Sequence, residues 1–293
     1  MSNDALAGRR VLVTGAGMGL GAAYAEAAAA AGAAVLVNDL DPQLACGTAE
    51  RITASGGRAV PFAADVGDWD AAADMVAACV SEFDGIDGLV NNAGIVGRLR
   101  PMFEETEDVA RRVFHVNAFG TLFPGIHAAR AMVRGGGGAI VNVSSGNQCG
   151  HALLSTYGAT KGAAASFTYA WAADLAEHNI RVNAISPNAH TSQIDGVIEQ
   201  LGYNPEEREY PAREDNAAVV CFLLSDASRE LNGQIVRVDH GYVSIMAHPL
   251  VTEPRVALGQ WTIDSVAEAV TRAGGLQPLG VAIANVSQPE PLH

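Results

Sequence analysis

A tyrosine and a lysine four residues apart, Tyr157 and Lys161, are the pair in this chain best suited to moving a proton. At that spacing two side chains share one face of a helix. Lys161 is the single lysine among 18 lysines and arginines, so every other basic position is filled by arginine. An ammonium is a compact point charge that approaches a phenol or a ribose hydroxyl without a planar fork. With six tyrosines in 293 residues, a lone lysine falls four after one of them about 2% of the time. The pair is thus either an accident of an arginine-rich composition or an acid–base device, and the rest of the chain decides.

A second constellation lies near the start. The apolar run 10–14 leads into Thr14-Gly15-Ala16-Gly17-Met18-Gly19-Leu20-Gly21 and an alanine-rich segment of helical length. Glycines there permit a tight turn, close approach of backbone to a pyrophosphate, and tight packing of helix on sheet. The helix N-terminus would face the phosphates with unpaired amides and its positive dipole end. Such turns also serve structure alone, so the acidic end of the next run, Val35-Leu36-Val37-Asn38-Asp39, carries weight. A carboxylate there accepts from the adenosine ribose hydroxyls and repels a 2′-phosphate, which predicts NAD(H) over NADP(H). No arginine follows Asp39, and Asp41, before Pro42, reads as a helix cap.

Positioning both constellations requires a regular scaffold. Seven short apolar runs (10–14, 35–38, 59–63, 88–91, 139–143, 181–185, 235–238) alternate with helix-length segments (19–31, 43–54, 68–83, 109–132, 156–178, 213–224). Strands apolar on both faces and joined by crossover helices predict a doubly wound, Rossmann-type α/β fold. Its sheet is expected to be seven-stranded and parallel, with helices on both faces. The single alternating series reads as one dinucleotide-binding and catalytic domain, 1–241. A C-terminal extension, 242–293, is expected to pack on that domain or on a neighbouring subunit. Within it Thr262 is placed to cap a helix over 263–272.

Composition narrows the partners. Hydrophobic residues make up 49% and charged ones 17%, enough for a core and too apolar for disorder. A formal charge of −14 argues against nucleic acid or an anionic membrane. No run reaches the length of a membrane span, and the first ten residues hold no hydrophobic signal segment. Cys46, Cys79, Cys149 and Cys221 are scattered without metal-ligand spacing, so free thiols, no metal and a reduced cytoplasmic setting are expected.

The spacing Thr-Gly-x-x-x-Gly-x-Gly resembles that of the short-chain dehydrogenase/reductases, and further matches run from residue 8 to about 241. Asp65-Val66 resembles the family's adenine contact. Asn91-Asn92-Ala93-Gly94 is similar to the element that supports the sheet and borders the cofactor. Asp239-His240-Gly241 is similar to the closing Asp-Gly-Gly, and Pro187-Asn188-Ala189 stands where Pro-Gly is common. With NAD read from Asp39, the resemblance implies a cofactor held by these motifs together with Tyr157 and Lys161. It also implies a catalytic tetrad of Asn117, Ser145, Tyr157 and Lys161. Ser144 precedes Tyr157 by the commoner thirteen residues and Ser145 by twelve, yet the second serine of such a pair is usually the functional one. Adjacent residues leaving a strand point in different directions, so only one of the two faces Tyr157.

Roles follow from the resemblance and from acid–base chemistry. A phenol with a pKa near 10 is a poor base at neutral pH. A nearby ammonium and the positive nicotinamide of NAD⁺ both favour the phenolate. Tyr157 would take the hydroxyl proton of a secondary alcohol, or protonate the alkoxide in the reverse direction. Ser145 would bond the substrate oxygen and Lys161 the nicotinamide ribose. Asn117 either holds water on a proton path or is a buried amide satisfying a backbone kink. Gln148, Cys149, His151 and His190 are expected to line the substrate.

The expected function is an NAD-dependent oxidoreductase interconverting a secondary alcohol and its ketone. An isomerase or dehydratase using NAD transiently, and a non-catalytic NAD-binding sensor, are the alternatives. No Gly-x-Ser-x-Gly elbow occurs, which argues against a serine hydrolase. Val37-Asn38-Asp39-Leu40 with Pro187-Asn188-Ala189 is similar to the hydroxyacyl-CoA dehydrogenase part of peroxisomal multifunctional enzymes. Ser192-Gln193-Ile194 depart from that branch, and scattered arginines offer little to CoA phosphates, so a neutral alcohol is an equal expectation. The resemblance further implies a homodimer or homotetramer.

Overall fold

The computed structural model describes residues 4–188, 212–239, 242–251 and 253–273. Its strands are β1 (Arg10–Val13), β2 (Ala34–Asp39), β3 (Arg58–Ala63), β4 (Gly88–Asn91), β5 (Gly138–Val143), β6 (Ile180–Ser186), β7 (Ile235–Asp239) and β8 (Tyr242–Met246). They form one sheet in the order 3-2-1-4-5-6-7-8, with β1 to β7 paired in parallel. The sheet therefore has eight strands, one more than the apolar runs predict. Only two residues separate β7 from β8, too few for the crossover a parallel pair needs, so β8 returns antiparallel. Its residues are mostly exposed, and it lies in the segment that the sequence pattern assigns to the C-terminal extension. Residues 1–245 form one compact unit and 246–293 a second.

Alternation along the strands explains the two-sided core. Val11, Val13, Val35, Val37, Val141 and Val143 face α1 (Gly19–Ala30), α2 (Pro42–Ala54) and α7 (Arg213–Leu224), where Tyr24, Ala45 and Val220 meet them. Leu12, Leu36, Leu89, Ile140 and Val182 face the opposite way, onto α3 (Trp69–Phe83), α5 (Gly120–Gly135) and α6 (Ser155–Leu175). Each such apolar side chain contributes about 1.5–3 kcal/mol by leaving water. Asp41 caps α2 by accepting from the Gln43 amide (2.8 Å), and Pro42 opens that helix without needing a donor. In the second unit, Thr262 Oγ1 accepts from the Ser265 amide (3.2 Å) and caps α8 (Ile263–Ala273).

One long helix of the sequence pattern, 109–132, divides. It becomes α4 (Glu107–Phe114), a π-helical turn (His115–Phe119) and α5. The wider turn carries Asn117, whose side chain bonds outside the helix, and such turns often mark functional places. Because β1 neighbours both β2 and β4, the chain winds away in opposite directions on either side of β1. The crevice opens at the carboxyl ends of these strands, where a doubly wound sheet binds its ligand.

Candidate active site

The floor of the crevice is built from backbone. After β1 the chain turns through Gly15 (φ 58°) and Gly19 (φ 61°), conformations that side chains with a Cβ rarely adopt. A Cβ on Gly15 would lie 2.8 Å from the Ala93 Cα, and one on Gly21 would fall on the Gly15 carbonyl and the Asn92 amide. Asn92 locks this contact, donating from Nδ2 to the carbonyls of Thr14 and Gly15 (2.9 Å each). In return Thr14 Oγ1 accepts from the amides of Asn92 (3.0 Å) and Ala93 (3.1 Å). Met18, at the N-cap of α1, has no polar side chain, so the first-turn amides keep their donors for a ligand.

Asp39 sits beside this turn. Its Oδ2 accepts from the Gly17 amide (3.0 Å) and its Oδ1 from the Asp41 amide (3.1 Å). Gly17 thereby serves Asp39 and is not itself in the cleft wall. Asp65 accepts from the Gly67 amide (2.9 Å) and pairs with His115 Nε2 at 3.0 Å. Burial alone would raise its carboxyl, but His115 and the Gly67 amide outweigh that and hold it below the usual carboxylate range. His115 went unnoticed in the sequence because it lies 50 residues from Asp65. Val66 packs so closely on Gly120 that any side chain there would strike it.

Side chains build the other end. Ser145 and Tyr157 are hydrogen-bonded to one another, and Ser145 Oγ also accepts from the Asn147 amide (3.2 Å). Ser144 is buried, its hydroxyl directed to Gln148 Oε1 (2.6 Å) and the Lys161 carbonyl (3.0 Å). The adjacent serines thus point apart, and Ser145 is the one that meets the phenol. Lys161 is 5% exposed; its Nζ donates to the Val143 carbonyl (2.7 Å) and lies 5.8 Å from the centre of the Tyr157 ring. Burial pushes its ammonium down to about 8. Burial likewise pushes the Tyr157 phenol above its ordinary value, with the Ser145 hydrogen bond acting the opposite way. The net direction is upward, so the protein's own groups do not hold this phenol ionised at neutral pH.

Asn117 is committed to protein partners. Its Oδ1 accepts from the Ile95 amide (2.8 Å), and its Nδ2 donates to the Ile95 carbonyl (2.9 Å) and Thr160 Oγ1 (3.0 Å). Thr160 in turn donates to the Tyr157 carbonyl (2.8 Å), so Asn117 ties the loop after β4 to the helix bearing Tyr157.

These groups surround a cleft of about 650 Å³. Its wall takes in Gly15, Met18, Gly19, Leu20 and Gly21 at one end, Asp39, Asp65 and Val66 along the side, and Ser145, Tyr157 and Lys161 at the other. Asn92, Ala93, Gly94 and Pro187 also face it. Asn117 and Asn188 do not. Asn188 donates to Asp239 Oδ1 (2.6 Å) and gives its carbonyl to Asn216 (3.0 Å), which turns it toward β7 and α7. Of the expected substrate-lining residues, Gln148 is taken up by Ser144, while Cys149 and His151 are exposed and outside the wall. His190 lies outside the described residues. Ile95, Val96, Asn147 and Leu154, which the sequence pattern did not single out, also line the cleft.

The glycine cradle, the uncapped α1 terminus and the buried lysine together fit a dinucleotide. Residues 9–200 match the family model described as short chain dehydrogenase. The chain belongs to that family. A cis-4-hydroxycyclohexanecarboxylate dehydrogenase from Sinomonas cyclohexanicum is 37% identical over 248 residues, covering 83% of this chain and 99% of the relative. The crystal structure of a short chain dehydrogenase from Mycobacterium avium is similar with a TM-score of 0.80 and 32% identity, over 94% of this chain and 98% of that one. A gluconate 5-dehydrogenase from Burkholderia cenocepacia J2315, crystallised with NADP and tartrate, gives 0.76 and 30% identity, over 82% and 97%. This short chain dehydrogenase is accordingly an oxidoreductase that uses a nicotinamide cofactor. Among its described residues no helix is long and apolar enough to cross a membrane, and all four cysteines are free.

Proposed function

We propose that the protein interconverts a secondary alcohol and its ketone with NAD(H), using Tyr157 as general acid and base. The observation that carries this reading is that Ser145, Tyr157 and the buried Lys161, whose Nζ lies 5.8 Å from the Tyr157 ring centre, converge at the end of a glycine-floored cleft. Bound NAD⁺ would supply the hydride acceptor. Tyr157 would receive the alcohol's proton as the carbonyl forms, and Ser145 would orient the substrate oxygen. Lys161 would hold the nicotinamide ribose with its ammonium. The positive pyridinium in the same cleft favours the phenolate, opposing the effect of burial. Acid–base assistance of this kind is worth about 10²–10⁴-fold. Asn117 acts by position, fixing Ile95 and α6.

Asp39 supports NAD(H) over NADP(H), since a carboxylate fixed on Gly17 at the end of β2 repels a 2′-phosphate. Arg112 and Arg213 also line the cleft, but they come from α4 and α7 and not from the loop after β2. The NADP-bound relative makes this a property to be read from this chain's own residues. Ile95, Val96 and Leu154 in the wall suit an alcohol with a compact apolar body, in keeping with the ring compound named for the Sinomonas enzyme. Half-exposed Phe114, Phe119 and Val133 on α4, the π turn and α5 support a homodimer or homotetramer, which light scattering would detect.

The test is a screen of secondary alcohols, cis-4-hydroxycyclohexanecarboxylate among them, with NAD⁺ and NADP⁺, following absorbance of the reduced nicotinamide. Stoichiometric NADH formation is expected. Catalysis without net NADH would favour an isomerase or dehydratase. Cofactor binding with no turnover across the screen would favour a sensor.

A further inference from the structure

Two loops that flank the cleft are joined by a polar clamp that the activity above does not use. Glu105, in the segment after β4, accepts from Thr156 Oγ1 (2.8 Å) and from the Thr106 amide (3.0 Å). Arg100 lies 3.6 Å from the same carboxylate; both side chains are only 17% exposed. The Arg100 amide donates to the Leu153 carbonyl (3.0 Å), and its guanidinium donates to the Glu104 carbonyl (3.1 Å). Leu153 has φ 68°, a conformation that a branched side chain holds only under restraint. The clamp thus binds 100–106 to 153–156 at both of its ends.

Its position relative to the helix gives it a consequence for Tyr157. Helix α6 begins at Ser155, and Leu154, its N-cap residue, has no side chain able to cap it. Thr156 and Tyr157 lie in the first turn, where frayed amides are normal and a neighbouring anion is favoured by the helix dipole. Glu105 brings that anion from another loop and fastens the turn through Thr156. Leu154, between the two attachments, is buried and forms part of the cleft wall.

We propose that Glu105, held by Arg100, is a positioning residue that sets the phenol of Tyr157 against Ser145 by anchoring Thr156. This rests on the reading of Tyr157 as the acid–base group. A loosened first turn would weaken the Ser145 hydrogen bond, the contact that opposes the upward effect of burial on the phenol. Tyr157 should then ionise at higher pH. Global unfolding or simple loss of stability would not move that titration in the folded protein.

The experiment follows the ¹³Cζ signal of Tyr157 against pH in full-length, tyrosine-labelled protein with and without NAD⁺, assigned by its absence in Tyr157→Phe. Thr156→Val is expected to raise the midpoint about threefold or more in proton concentration terms, roughly half a pH unit. Thr156→Ala should shift it in the same direction, and Thr156→Ser, which keeps the hydroxyl, should titrate with the wild type. Thr156→Ala carries the test should Thr156→Val fail to fold. A Thr156→Val or Thr156→Ala protein that titrates with the wild type overturns the clamp's role, while leaving the assignment of Tyr157 intact. A wild-type phenol whose midpoint NAD⁺ does not lower overturns that assignment, and the clamp's role with it.

Discussion

At the glycine end of the cleft, side chains hold main-chain groups: Asn92 holds the carbonyls of Thr14 and Gly15, Thr14 holds the amides of Asn92 and Ala93, and Asp39 holds the Gly17 amide. At the Tyr157 end the wall depends on side chains from separate segments, with Asn117 holding Ile95 and Thr160, Glu105 holding Thr156, and Ser144 holding Gln148. The first arrangement suits a cofactor part that never varies, because a pyrophosphate asks only for amides and room. The second suits chemistry and substrate choice, where one atom must be placed and the surrounding loops can change without disturbing the sheet.

If that contrast is right, damage to the glycine end is not graded. Gly21→Ala places a Cβ on the Gly15 carbonyl, which cannot yield without opening the turn. NADH affinity, measured by fluorescence titration, should fall by more than about 1,000-fold, roughly 4 kcal/mol. An affinity within threefold of wild type would break the comparison at its firmer half.

Lys161 probes the other end through stability. Its ammonium titrates at about 8 in the folded protein against an ordinary 10.5. Between those values the unfolded chain binds more protons, so wild-type stability rises with pH across that window. The burden of the buried charge is fully present below about pH 8. Relative to Lys161→Met, whose stability lacks this slope, the gain should approach roughly 3 kcal/mol by urea unfolding. A flat difference between the two proteins would mean that the lysine is hydrated in solution.

Asp39→Asn is the gentlest change. It keeps an acceptor for the Gly17 amide and removes the charge that repels a 2′-phosphate. The preference for NAD⁺ over NADP⁺, as a ratio of kcat/KM values, should drop by about tenfold, near 1.4 kcal/mol. An unchanged ratio would place cofactor choice elsewhere, with Arg112 and Arg213 as the next residues to vary.

The same contrast explains which features were legible in the sequence. Strand runs, the glycine turn, Asp39 and the Tyr157–Lys161 spacing are local patterns, each complete within about ten residues, and backbone geometry follows from them directly. The Asp41 and Thr262 caps were readable for the same reason. What escaped were contacts between distant residues. His115 meets Asp65 across 50 positions and Glu105 meets Thr156 across 51, with no periodicity to signal either. Asn117 is recognisable as a residue, yet the π turn that carries it reads as plain helix. Strand β8 is short and mostly exposed, and it follows Gly241, where the alternating series of runs and helices ends, so it reads as part of the C-terminal extension. Gln148 and Asn188 follow motifs that border the cleft, but their side chains are engaged by other protein groups, Ser144 and Asp239.

The central claim concerns one phenol, and Tyr157→Phe tests it most directly. Removing only the hydroxyl leaves the ring to fill its place. With an alcohol identified by the screen, NADH formation should fall by about 10²–10⁴-fold, while NADH binding stays within about twofold of wild type. Turnover within tenfold of wild type would contradict the account, since some other group would then be moving the proton.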